Sequence, residues 1–253
     1  MKPEALQYTE YTAYPCHLSR LEWIYHTIEQ FRKPGEKVRV LDVGAGTGNV
    51  TIPLGLIDNS EILGIDIHQP TLDIAIAANK LPNVSFKFEY LQDCPLKGFQ
   101  FIILTEVLEH IAGYDEILEY LGKNMDPGAQ VLITVPNGRG PFEIAMQPLY
   151  LMRRWGLNNF ILKVKKVLGK KEPYSQNYET PHVNFFTVSG IGKTLATHGL
   201  KLAEVRKAYM LAPIIETYLP FIPLKTISKI DQKMVSVLPR GFASGFYFRI
   251  VHK

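Results

Sequence analysis

Cysteine is scarce: Cys16 and Cys94 are the only two in 253 residues. They lie far apart and match no metal-ligand spacing. A disulfide framework is therefore not expected, and a reducing compartment fits. Long hydrophobic runs are missing too. No uncharged stretch reaches the ~18 residues that would mark a membrane span. The first residues carry Glu4 and Glu10 and no apolar core, so a secretory signal is not expected there. Excess charge is small as well. A formal net charge of +4 is too mild to argue nucleic-acid binding by itself. No repeat or low-complexity segment is present. These absences leave a cytoplasmic, globular chain as the expectation.

What is there suffices for a core. Hydrophobic residues make up 46% and charged residues 21%, ordinary usage for a folded domain. The length suits one large domain with insertions better than two independent ones. Leu18, Leu21, Ile24, Ile28 and Phe31 recur at helical spacing, predicting an amphipathic helix over 17–32 that Pro34 and Gly35 end. Strands are expected at 38–43, which reads as buried, at 61–67, at 84–90, which alternates, at 99–104, which is fully apolar, and at 130–135. Helices are expected from 49, over 71–80 and from about Val107. A helix over 188–199 and strands at 201–207 and 243–251 follow. Strands alternating with helices imply parallel βαβ units in an α/β, doubly wound open sheet. Two stretches interrupt the pattern: 138–180, irregular and basic, and 210–238, apolar and broken by Pro213, Pro220 and Pro223. The division expected is a single domain over 1–253, with a helical cap at 1–36 and these two insertions.

The chemistry starts at Leu41-Asp42-Val43-Gly44-Ala45-Gly46-Thr47-Gly48. Glycines after a strand and before a helix let backbone approach a ligand closely, because no Cβ intervenes. A dinucleotide fingerprint would want glycine at 49, which is asparagine, and no lysine makes a phosphate-binding P-loop. Asp66, at the end of the second strand, is placed to accept both hydroxyls of a ribose. NAD enzymes use that device as well. Asp42 discriminates better. A carboxylate just before the glycines suits a ligand with an ammonium there, and NAD has none.

The ordered set VLDVGAGTGNVT, GIDI, LQDC and LTEVLEHI resembles class I S-adenosylmethionine (SAM)-dependent methyltransferases. The branch it resembles is the small-molecule one that includes ubiquinone-biosynthesis O-methyltransferases. The likeness covers 38–135 strongly and 182–252 more loosely. It implies a Rossmann-like seven-stranded sheet with an antiparallel last strand, SAM as donor and S-adenosylhomocysteine (SAH) as product. It implies that Gly44, Ala45, Gly46 and Gly48 wrap the methionine part, with Asp42 near its ammonium. Asp66 and Ile67 would meet the ribose and adenine, and Asp93 with Cys94 the adenine amino group. Thr105 and Glu106 would close over the sulfonium side.

Glu106, Glu109 and His110 stand at i, i+3 and i+4, which on a helix is one face. Three readings stay open. Relatives with a similar E-x-x-E-H hold a divalent metal with a further downstream histidine, which implies Glu106, Glu109, His110 and His182 as ligands. Alternatively, His110 or His182 is the general base for a hydroxyl acceptor, since an unperturbed histidine pKa suits that work. Third, Glu109 and His110 only hydrogen-bond within the domain.

The acceptor is the least legible part. Between 149 and 171 lie Arg153, Arg154, Lys163, Lys165, Lys166, Lys170 and Lys171, with no acid and with interleaved apolar residues. Such a stretch suits an anionic membrane surface, a lipid-linked substrate or RNA, or else forms a helical lid with solvated charges. The apolar 210–238 favours a small or lipid-like acceptor over RNA, and Val135-Pro136-Asn137-Gly138 is not the amine-orienting N-P-P-Y motif. The expectation is O-methylation of a small or lipid-like molecule by direct methyl displacement, with peripheral contact to an anionic membrane. An RNA methyltransferase and a catalytically silent SAM-binding protein are the alternatives. Nothing in the sequence sets the oligomeric state.

Overall fold

A computed structural model of the chain describes residues 15–141, 144, 183–211, 231 and 233–253. Helix α1 (Pro15–Phe31) leads into strand β1 (Val38–Val43). Then come α2 (Thr51–Leu54), β2 (Ser60–Asp66), α3 (Gln69–Ala78), β3 (Val84–Phe88) and β4 (Phe101–Thr105). Helix α4 (Tyr114–Asn124), β5 (Gln130–Pro136), α5 (Val188–Thr197), β6 (Leu200–Lys207) and β7 (Gly245–His252) complete the order. The strands form one sheet in the order β3-β2-β1-β4-β5-β7-β6. The first five strands run parallel, and β7 is antiparallel to both β5 and β6. This is the α/β, Rossmann-like seven-stranded sheet expected.

Why the sheet is buried follows from its strands. The central strands β4 and β5 are near-continuous apolar runs, FIILT and QVLITVP, as a parallel strand covered on both faces requires. One apolar cluster joins Leu104, Leu118, Leu121, Ile133 and Phe248 with Leu195 of α5 on one face. The other joins Ile24 and Ile28 of α1 with Val40, Ile103, Leu132 and Tyr247. Trp23 of α1 stacks on Tyr247 of β7, with ring centroids 5.0 Å apart. That stack fixes the amino-terminal helix against β7.

Two elements depart from the sequence reading. The helix expected from 49 to 57 is only the single turn Thr51–Leu54. Gly55 ends it, pressed so closely on Val84 and Leu81 that a Cβ there would lie 2.3 Å from Val84 Cγ2. The helix expected from Val107 does not form either. A 3₁₀ turn covers Leu108–His110, and α4 begins only at Tyr114. The turn stops at Ile111, whose backbone is extended (φ −109°, ψ 110°), and Glu106 before it is left-handed (φ 55°).

The strand order reverses between β1 and β4. In open α/β sheets a ligand binds at the carboxyl ends of the strands beside such a switch point. The residues that end β1 and β4 therefore flank that position.

Candidate active site

Gly44 follows β1 with φ 72°, and its backbone N–H donates to Ile65 O at 2.8 Å. A Cβ at this position would come within 2.6 Å of Val107 Cγ2. Glycine is thus required twice, by its backbone and by the turn after β4 that packs on it. Gly46 has φ 53° and nothing within 4 Å of where a Cβ would be. Its missing side chain leaves a cradle, not a packed contact.

Asp42 lies under this loop and is 1% exposed. The Thr51 hydroxyl donates to its Oδ2 at 2.6 Å. Its Oδ1 has no hydrogen-bond partner among the described residues. Burial pushes this carboxyl up to about 7; the Thr51 hydrogen bond opposes the rise and the nearby Asp66 carboxylate adds to it. A buried acid with one bare oxygen is suited to a cationic ligand group, which would return it to the ionised form.

Asp66 ends β2, half-buried. The Gly46 N–H donates to its Oδ2 at 2.7 Å and the His68 N–H to its Oδ1 at 2.8 Å. Each carboxylate oxygen keeps a further acceptor direction. Asp66 thus ties the glycine loop to the β2 end. Ile67 beside it is 56% exposed and Tyr90 is 54% exposed, which leaves an apolar ledge at this edge. Asp93 is exposed at the end of the 3₁₀ turn Leu91–Asp93. The Cys94 thiol is instead packed in the core, where burial pushes it up to about 11. Its side chain is spent on packing, so only its backbone is left to meet a ligand.

Across the switch point, Thr105 ends β4 half-buried and Glu106 follows in its left-handed turn. The Glu106 N–H donates to Thr134 O at 3.1 Å. Its Oε1 accepts from the Thr134 hydroxyl at 2.8 Å and pairs with Arg20 Nη2 of α1 at 3.1 Å. Burial works against the Arg20 charge, but the Glu106 carboxylate, with Tyr209 and Tyr247, more than offsets it, and the net shift of the guanidinium pKa is upward.

This arrangement corrects the one-face reading of Glu106, Glu109 and His110. Glu106 faces Arg20 and Thr134, Glu109 is fully buried, and His110 is half-buried on the 3₁₀ turn. Among the described residues no group of three or more His, Cys, Asp or Glu side chains could hold a metal ion. His182 lies outside the described residues, as do nearly all of 138–180 and most of 210–238, and with them the basic stretch behind the expected membrane contact. Among the described residues no helix is long and apolar enough to cross a membrane.

Sequence reasoning missed Arg20, Thr51 and Thr134. Thr51 was findable, since a hydroxyl in the first turn after a glycine loop commonly caps something. Arg20 and Thr134 carry no local signal, because their shared partner is 86 and 28 residues away in the chain.

A glycine loop after β1, acids at the ends of β1 and β2 and a switch point between β1 and β4 define a nucleoside-type ligand site in a Rossmann-like sheet. The model of the methyltransferase-domain family matches residues 17–205, and the chain belongs to that family. It is a SAM-dependent methyltransferase. The chain is 26% identical over 192 residues to the ubiquinone biosynthesis O-methyltransferase of Rickettsia canadensis, covering 74% of this chain and 72% of that one. It is 28% identical over 113 residues to the mitochondrial enzyme of the same name from Mus musculus, spanning only 30% of that protein's length. Among solved structures it resembles magnesium protoporphyrin IX methyltransferase from Synechocystis PCC 6803 with bound SAH. There the TM-score is 0.56 at 14% identity, covering 94% of this chain and 84% of that one. A SAM-dependent methyltransferase from Mesorhizobium loti gives a TM-score of 0.55 at 12% identity, covering 92% and 98%. At these identities the structural likeness bears on the fold.

Proposed function

We propose that this chain is one methyltransferase domain that transfers the SAM methyl group to a hydroxyl of a small or lipid-like acceptor. The observation that carries the donor half is Asp42, a buried acid with a bare oxygen beneath a glycine cradle. The residues fit SAM better than NAD because the methionine ammonium gives that oxygen a partner. In this reading Gly44, Ala45, Gly46 and Gly48 wrap the methionine chain. Asp66 accepts from the ribose hydroxyls and Ile67 lies along the adenine. Asp93 and the Cys94 backbone face the adenine amino group, and Thr105 and Glu106 border the sulfonium.

The acceptor oxygen's electron pair forms the new O–C bond as the C–S pair returns to sulfur. The donor is already activated, so the protein's task is alignment and exclusion of water. The hydroxyl proton must leave, and His110, just past the β4 turn, is the base assigned here, with His182 its alternative from the sequence. The O-methyltransferase names of the relatives support a hydroxyl acceptor.

Two measurements test this. Calorimetry with SAM, SAH and NAD should give micromolar binding of the first two and none of the third. NAD binding without SAM binding would remove the donor assignment. Radiolabelled SAM offered with phenolic and hydroxylated lipid-like acceptors should place label on oxygen. Label only on carbon, nitrogen or RNA would replace the acceptor half.

A further inference from the structure

Arg20 is the only buried Lys or Arg among the described residues, at 6% exposure. Its Nη2 pairs with Glu106 at 3.1 Å, and its Nε has no hydrogen-bond partner among the described residues. Such a pair is a poor device for stability. Arg20 is desolvated and Glu106, 26% exposed, partly so, which offsets much of their attraction, and apolar side chains would fill the same space at less cost. Glu106 adds a second unfavourable feature, a left-handed backbone in a non-glycine residue. Strain and buried charge at one point indicate a working site.

The position of the pair identifies that work. Glu106 follows β4 at the switch point, and Val107 beside it packs on Gly44 of the donor loop. On the reading that SAM lies in that loop, the Glu106 carboxylate borders the sulfonium. Methyl transfer converts a cationic sulfonium into a neutral thioether. A bare carboxylate there would hold the donor more tightly than either the charge-dispersing transition state or the product. We propose that Arg20 is a positioning residue that neutralises Glu106. It fixes the turn after β4 and keeps donor and product affinities close to each other. Helix α1 thereby becomes part of the donor site, beside the carboxyl ends of the strands that build such sites in open α/β sheets.

The test is the ratio of SAH to SAM dissociation constants, measured by calorimetry on the full chain. Wild type and Arg20→Lys should share one ratio within about twofold. Arg20→Met leaves Glu106 uncompensated and should raise the ratio about fivefold to tenfold, because only SAM carries the charge that responds. Glu106→Gln leaves Arg20 uncompensated and should lower it. It keeps an oxygen for Thr134 and Arg20, so it reports even if Arg20→Met fails to fold. Parallel loss of both affinities with an unmoved ratio would mark the pair as merely structural and overturn the inference. Wild type that binds neither ligand overturns the donor reading itself, and this inference with it. Wild type that binds both, with a ratio unmoved in the variants, overturns this inference alone.

Discussion

The two sides of the switch point are built by different means. On the β1–β2 side, short-range features do the work: a glycine loop, Asp42 held by Thr51 nine residues on, and Asp66 holding Gly46. On the β4–β5 side, the turn at Glu106 depends on Thr134 from the next strand and Arg20 from the first helix. The turn after it depends on Asn184, whose side chain donates to Leu108 O at 2.9 Å and Ile111 O at 2.6 Å. The β1–β2 side joins residues 9 and 20 apart in the chain, and the β4–β5 side joins residues 28 and 76 apart and the first helix. On the proposed reading a donor needs one fixed cradle, whereas an acceptor site can vary, and remote parts vary independently.

The largest effect that sharpens this contrast is expected at Asp66. Alanine there removes the ribose acceptor of the proposed reading and frees the Gly46 and His68 N–H groups together. Charge-assisted hydrogen bonds contribute about 1.5–3 kcal/mol, so SAM affinity should fall roughly tenfold to a hundredfold. Unchanged calorimetric affinity in a folded Asp66→Ala protein would break the assignment.

How much was legible follows the same division. All seven strands were readable, the central ones as apolar runs and β3 and β6 by alternation, each bounded by turn residues. The glycine loop and its acids were readable from spacing alone. The E-x-x-E-H segment is a 3₁₀ turn and not the α-helix expected, since a side-chain pattern does not show that the backbone turns extended at Ile111. Arg20 sits in the sequence Leu18-Ser19-Arg20-Leu21 as any surface arginine of an amphipathic helix would. Only packing against β7 and the β4 turn shows it to be buried.

Asp42 gives the next effect, through pH. Its carboxyl is raised to about 7 by burial, so ionising it works against the fold. Below the unfolded value near 3.8 this penalty is absent. It grows as pH rises toward 7 and is constant above that. Asp42→Asn should therefore raise the melting temperature at pH 8 by roughly 2–6 °C and change it little at pH 4. Binding should run the other way. The ammonium prefers the carboxylate, so wild-type SAM affinity should fall as pH drops from 7 to 5, by up to about tenfold per unit. In Asp42→Asn it should be weak and flat over that range. A variant as pH-sensitive as wild type would show that another group meets the ammonium.

The smallest effect on the donor is expected at Asn184, and it tests whether the two sides are separable. Besides its two side-chain bonds, its backbone N–H donates to Glu109 O at 3.2 Å, and Val183 N–H donates to the same oxygen at 2.8 Å. These bonds fasten the chain after the first insertion to the 3₁₀ turn. Asn184→Ala leaves the Leu108 and Ile111 carbonyls without those donors in a half-buried place, at a cost of about 1–3 kcal/mol. Denaturant unfolding should show that loss. The Gly44 and Asp66 geometry does not depend on Asn184, so SAM affinity should stay within about twofold. Methyl transfer, once an acceptor is in hand, should fall more than SAM binding does, because His110 sits on the turn that Asn184 holds. A tenfold loss of SAM affinity in this variant would show that the β4 turn and the glycine loop move as one unit through the Val107–Gly44 contact, and the contrast between a local donor side and a remotely assembled acceptor side would not hold.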